Sequence, residues 1–218
     1  MKKDPENDFE KMRLITEFLK KRYTTRHYLM RNKFRLLITT ILSQRTRDET
    51  TEDVSRKLFS VAKTPEQMLE LSKKRLEHLI RSAGPYRQKA DRIRKVCQIL
   101  IEKYDGNVPR TRTELLELPG VGFKTADIVL SYGFGIPTIA VDTHVNRIPK
   151  RIGIVPDSAG VEEVRNILER LTPEKDRFVV NLGMVRFGQQ VCRPVNPKCP
   201  PCPFNYFCKY GKKRLQGD

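Results

Sequence analysis

Leu118-Pro119-Gly120-Val121-Gly122-Phe123-Lys124-Thr125-Ala126, with Val141-Asp142-Thr143-His144 downstream, is the stretch on which the reading of this chain turns. Residues Thr113 to Leu118 read as a short helix and Gly122 to about Phe134 as the next. Between them lies a hairpin too short to be built without glycine. Gly120 and Gly122 allow the tight turn and leave backbone N–H groups unshielded. Those donors, with the positive end of the second helix, suit an anionic oxygen such as a DNA phosphate. A contact of that kind reads the backbone and carries no sequence information. An ordinary glycine turn between two core helices has the same spelling, so the rest of the chain has to decide.

The charge decides for a polyanion. Of 218 residues, 43 are Lys or Arg and 26 are Asp or Glu, a formal net charge of +17. A surface tuned only for solubility or heat adds both signs; here one sign dominates, which points to nucleic acid. The length allows one large domain or two small ones. Hydrophobic residues make up 38% and fall in periodic segments, enough for a buried core. No apolar run of about 18 residues occurs, so no helical membrane span is expected. The N-terminal Met1-Lys2-Lys3-Asp4-Pro5-Glu6 is charged and has no apolar stretch behind it, unlike a signal peptide. An intracellular protein, of cytoplasm or nucleoid, is expected.

The periodicity is helical almost throughout, which predicts an all-α fold. Phe9, Met12, Ile15, Phe18 and Leu19 mark one face of a first helix, and Phe34 to Leu42 is nearly all apolar, as a buried helix would be. Thr64-Pro65 reads as an N-cap followed by proline at the first helical position. Gly84-Pro85-Tyr86 breaks the chain, Ala90 to Ile101 lines a long helix, and Asp105-Gly106-Asn107 ends it. The β-branched run from Ile136 to Val141 is too short and too isolated to predict a strand.

Lys124 stands near the start of the helix that Gly122 opens. A helix N-terminus disfavours a cation, and neighbouring basic residues disfavour another ammonium, so the position should supply free amine near neutral pH. A free amine attacks an electrophilic sugar carbon and forms a Schiff base. A lysine that merely sits beside phosphates is the plainer alternative, and a partner carboxylate tips the balance. Asp142, 18 residues on, precedes a helix expected from His144 to about Arg151. It can cap that helix. It can also stabilise oxocarbenium character at C1′ and assist proton transfer. His144 reads as a structural hydrogen-bonding residue, and His27 and His78 carry no assigned role.

Four of the five cysteines crowd into the C-terminal tail as Cys192, Cys199, Cys202 and Cys208, the spacing C-x6-C-x2-C-x5-C. Four thiolates hold either zinc or an iron–sulfur cluster, and spacing alone leaves both open. A thioredoxin-type reading of Cys199-Pro200-Pro201-Cys202 lacks the strand–helix setting. The loop between the first two cysteines carries Arg193 and Lys198, tethered to meet phosphates. Cys97 reads as a small core residue.

The hairpin, the run Pro137-Thr138-Ile139-Ala140-Val141-Asp142-Thr143-His144 and the cysteine cluster occur in one order. In that order they resemble the endonuclease III family of helix–hairpin–helix DNA glycosylases, over nearly the whole chain. The resemblance implies two helical lobes: a helical barrel domain over 24–136, and an iron–sulfur domain from 1–23 with 137–218. It implies a [4Fe–4S] cluster on the four tail cysteines, with Lys124 and Asp142 catalytic. It also implies double-stranded DNA containing damaged bases or AP sites as partner, with a monomer expected. Lysine at this position, which mismatch- and adenine-specific relatives lack, favours glycosylase plus AP lyase activity on oxidised pyrimidines. A G:T or G:U mismatch glycosylase and a non-catalytic iron–sulfur DNA-binding protein are the alternatives. A target base must leave the stack, and something must fill the gap. By resemblance two loops do so, Ser43 to Asp48 and Gly84-Pro85-Tyr86. Gln44, Arg45 and Pro85 are therefore expected DNA contacts, with Gly120, Gly122, Arg193 and Lys198. Arg45 stands where the family's gap-filling glutamine is expected, and Pro85 where a leucine wedge is common. An arginine there suits the O6 and N7 edge of an orphaned guanine.

Overall fold

The structure, a computed structural model, describes residues 4–23 and 29–216. His27 and the expected lobe boundary after residue 23 touch the stretch 24–28, which lies outside the described residues, as do Met1 to Lys3, Gly217 and Asp218. Twelve α-helices and no strand are found among the described residues. The chain divides into two compact units. One is Tyr28–Ile136, and the other joins Met1–His27 to Pro137–Asp218.

In the unit Tyr28–Ile136, helix α2 (Lys33–Ser43) is apolar on most sides and buries Phe34, Leu36, Leu37, Ile38, Ile41 and Leu42. Around it lie α3 (Asp48–Val61), α4 (Pro65–Glu70), α5 (Lys73–Leu79) and α6 (Tyr86–Tyr104). Thr64 caps α4 with Pro65 in the first turn, as the local chemistry predicts. Helix α6 buries Ala90, Ile93, Val96, Cys97 and Leu100 along one stripe and ends on Asp105 in the left-handed conformation. Helix α7 runs Arg112–Glu117, one residue earlier at each end than the spacing predicts. Thr111 and Glu114 form a reciprocal capping box that sets its start. The helical stretch after Gly122 ends near Phe134, as the spacing predicts, but it is not α throughout. Helix α8 covers Phe123–Ile128 and then passes into a π turn, Val129–Gly133.

One ion pair holds α7 to α8. Arg112 donates to Asp127 at 3.0 Å, the aspartate is 1% exposed, and the guanidinium lies 4.6 Å from the Phe123 ring centre.

The second unit contains α1 (Asp8–Arg22), α9 (Thr143–Ile152), α10 (Val161–Leu171), α11 (Arg177–Gln190) and α12 (Lys209–Gln216). Its core joins Met12, Ile15 and Leu19 to Val145, Ile148, Val180, Met184 and Phe187. Two glycines of α11 set how near its neighbours approach. A Cβ on Gly183 would come within 2.9 Å of Leu19, and one on Gly188 would overlap the His144 ring. The extended run 137–141 has no strand to pair with, so its carbonyls and amides must be satisfied otherwise. Side chains do it. Arg177 donates to the Pro137 carbonyl, Glu169 accepts from the Ile139 N–H and the Thr138 hydroxyl, and Asn181 donates to the Ala140 carbonyl at 2.6 Å.

Removing Arg112 would leave a carboxylate buried without its cation. Arg112→Ala is expected to lower stability by about 3–5 kcal/mol in chemical denaturation, as for other broken buried pairs. A loss below about 1 kcal/mol, the range of an exposed pair, would contradict that account.

Candidate active site

The hairpin leaves α7 at Leu118, whose carbonyl accepts from the Val121 N–H at 3.0 Å. Gly120 has φ +82°, and a Cβ there would lie 2.7 Å from Arg92 Cδ. The left-handed backbone is the reason the turn needs glycine here, while the Arg92 stem, being flexible, could move aside. Gly122 is exposed and caps α8 in an extended conformation, with open space where a side chain would stand. Lys124, the second residue of α8, is exposed beside it.

The loop after α2 is tied to this hairpin. Gln44 donates its side-chain amide to the Gly120 carbonyl at 2.7 Å and to Thr125 Oγ1 at 3.4 Å. Its neighbour Arg45 is exposed and holds φ +53°, unusual for a residue with a side chain. Pro85 is exposed at the N-cap of α6. Beneath both loops lies Lys89, which is 1% exposed. Its ammonium donates to the Leu42 carbonyl, Thr46 Oγ1 and the Ala83 carbonyl at 2.6–2.7 Å. Burial, with a smaller push from Arg92, brings its pKa down to about 8. Sequence reasoning passed over Lys89, although it stands in helical register with Ile93, Val96 and Leu100.

In the other unit Asp142 is half-buried at the N-cap of α9. Oδ1 accepts from the His144 and Val145 N–H groups at 2.9 and 2.8 Å, so Oδ2 takes no part in the cap. The aspartate thus has one oxygen engaged in the cap and the other outside it. His144 Nδ1 lies 3.1 Å from Arg147 and packs against Gly188.

Cys192, Cys199, Cys202 and Cys208 line one cavity with Arg151, Pro197, Lys198 and Tyr210. Burial pushes the Cys202 thiol to about 11 and raises Cys208, and neighbouring cysteines add to both. Among the described residues no three His, Cys, Asp or Glu side chains are placed to hold a single ion, although the four cysteines share that cavity. Arginines on α9 brace the loop that follows Cys192. Arg147 donates to the Cys192 carbonyl at 2.9 Å, and Arg151 to the carbonyls of Arg193 and Pro194 at 2.6 and 2.8 Å. Arg151 also lies over the Tyr210 ring and 3.6 Å from Cys192 Sγ. Arg193 and Lys198 are exposed on that loop. The two bracing arginines were not anticipated, although they stand four apart, on one face of the helix that Asp142 caps.

The profile of the HhH-GPD superfamily of base excision DNA repair proteins matches residues 38–174. Endonuclease III of Thermotoga maritima is 47% identical over 193 residues, 88% of this chain and 90% of that protein. Endonuclease III of Bacillus subtilis is 42% identical over 84% of each. Among solved structures, a trapped endonuclease III–DNA covalent intermediate superposes with a TM-score of 0.86 at 40% identity, covering 95% of this chain and 98% of that one. A thermostable thymine-DNA glycosylase superposes at 0.81 with 29% identity, over 93% and 95%. The fold and hairpin thus define a helix–hairpin–helix base excision repair protein. Within that class, the chain belongs to the endonuclease III family.

The cap and any chemistry of Asp142 separate by substitution. Asp142→Asn keeps an oxygen for the two N–H groups and should leave thermal stability within a few tenths of a kcal/mol, whereas Asp142→Ala should cost about 1 kcal/mol. Equal stability of the two variants in calorimetry would show that the cap contributes nothing.

Proposed function

We propose that this protein is a bifunctional DNA glycosylase and AP lyase that removes oxidised pyrimidines from double-stranded DNA, acting as a monomer. The observation that carries the reading is the exposed amine of Lys124, one residue into the helix that the bare Gly122 opens. The hairpin N–H groups around Gly120 and Gly122 hold a phosphate of the damaged strand, which fixes the backbone against α8. The amine nitrogen of Lys124 attacks C1′ of the extruded nucleotide, and the bond from C1′ to the base breaks with its electron pair going to the base. Asp142, through the oxygen its cap does not use, stabilises positive charge at C1′ and takes part in the proton transfers that follow. The sugar ring opens to a Schiff base between C1′ and Nζ. Loss of a C2′ proton then expels the 3′ phosphate, and water hydrolyses the imine to free the lysine.

The four cysteines of the tail fit a [4Fe–4S] cluster, because all four line one cavity, two of them buried and two half-buried, and burial with the neighbouring cysteines raises the thiols of Cys202 and Cys208, a cost that a bound cationic group would offset. The bound cluster would cross-link the tail. Arg151 and Arg147 brace the backbone of the loop it closes, and Arg193 and Lys198 project from that loop toward phosphates. Gln44, Arg45 and Pro85 belong to the loops that meet the opened duplex.

Borohydride trapping tests the lysine. Wild type is expected to give a covalent adduct with duplex DNA holding thymine glycol or an AP site, and Lys124→Gln none. An equal adduct from the variant would assign the nucleophile elsewhere. A thymine:guanine duplex in the same panel tests the mismatch alternative, which release of thymine at the rate seen for thymine glycol would establish instead. The metal content provides a separate check. Iron and acid-labile sulfide should be found in equal amounts, about four of each per chain. One zinc and no sulfide would replace the cluster with a zinc site.

A further inference from the structure

We propose that Lys89 is a positioning residue for duplex opening: its buried ammonium clamps the loop carrying Arg45 to the loop carrying Pro85, so that both reach the DNA as one rigid probe. The inference rests on the glycosylase reading above. An ammonium has three protons and no acceptor, and Lys89 gives one to each of three oxygens. They come from the last turn of α2 (Leu42 carbonyl), the loop beyond it (Thr46 Oγ1) and the turn before α6 (Ala83 carbonyl). Thr46 closes the same circuit, since its hydroxyl donates to the Ala83 carbonyl at 2.9 Å. The backbones meet directly above. Gly84 has φ +71°, and a Cβ there would stand 3.0 Å from the Arg45 carbonyl oxygen. Gln44 anchors the near side of the loop to the hairpin.

The tip residues, Arg45 and Pro85, are both exposed, while Lys89, Leu42, Ala83, Thr46 and Gln44, whose hydrogen bonds hold them, are buried or half-buried. Arg45 holds a left-handed backbone that residues with side chains rarely adopt, and such a conformation persists only where its surroundings over-determine it. Burying a cation this deeply costs free energy that its hydrogen bonds must offset, and here all three of its protons go to oxygens of the two loops and the helix end between them. The arrangement is explained if holding the two loops in register is what the lysine is for. Entering a base stack requires a probe that does not yield, because ordering two loose loops during binding would weaken association.

The test uses the full chain and two substitutions, Lys89→Met and the near-isosteric Thr46→Val. Binding is followed on a duplex with a tetrahydrofuran abasic site opposite 2-aminopurine, whose fluorescence reports insertion into the gap without any catalysis. Lys89→Met should lose most of the insertion signal. Its KM for a duplex lesion should rise about tenfold with a much smaller change in kcat, and trapping on single-stranded AP DNA should stay within about twofold of wild type. Thr46→Val should move the same quantities in the same direction and by less. A wild-type insertion signal in both variants would overturn the proposal. So would an equal fall on single-stranded and duplex substrates together with a lowered melting temperature, the signature of a merely structural lysine. If wild type traps no AP DNA, the glycosylase reading fails instead, and the fluorescence arm still decides whether Lys89 holds the probe.

Discussion

Backbone oxygens and nitrogens taken out of water need partners, and in an all-helical chain that demand falls on the places where helices stop. Every segment with a proposed role here is such a place, and in each the partner is a long side chain from a neighbouring element. Lys89 satisfies the end of α2 and the turn before α6. Gln44 satisfies the hairpin at Gly120. Arg177, Glu169 and Asn181 satisfy the run that delivers Asp142. Arg147 and Arg151 satisfy the loop that begins at Cys192. The helices pack by apolar contact, but the geometry of the irregular segments comes from these polar struts.

The same observation refines what the charge means. A net +17 points to a polyanion, yet several of the basic residues spend their donors on groups of the protein itself. Lys89 and Arg112 are engaged with their own unit, and Arg147, Arg151 and Arg177 hold carbonyls of theirs. Arginine suits this work, since its planar fork reaches two carbonyls at once, as Arg151 does with residues 193 and 194. The basic side chains proposed to meet phosphates, Arg45, Arg193 and Lys198, belong to the exposed set.

Much of the fold was legible because helices announce themselves by period and cap. The apolar density of residues 34–42, the stripe along α6 and the Thr64-Pro65 start all appear as their residues dictate. The start of α7 was legible too, from Thr111 and Glu114 three apart, and reading the helix from Thr113 overlooked that box. The π turn after Ile128 was not, because widening one turn depends on what packs around it rather than on local residue type. At the site, the hairpin, Asp142 and the four cysteines stood out because their spacing is unusual. Lys89 was hidden among the basic residues 87 to 95, where only its register with the apolar face distinguished it. The supports of residues 137–141 come from residues 30 or more positions away, a distance at which one sequence carries no pairing information.

That last arrangement has a consequence for the order in which the molecule becomes competent. The hairpin and its amine are completed by contacts within residues 28 to 136, so a nascent chain can finish them early. The acid group cannot be aimed so soon. The run before it stays untethered until α10 and α11, made tens of residues later, supply Glu169, Arg177 and Asn181. A half-synthesised chain therefore already has the tied-down hairpin while the run before Asp142 still lacks its supports, so the two proposed halves of the site are finished at different times.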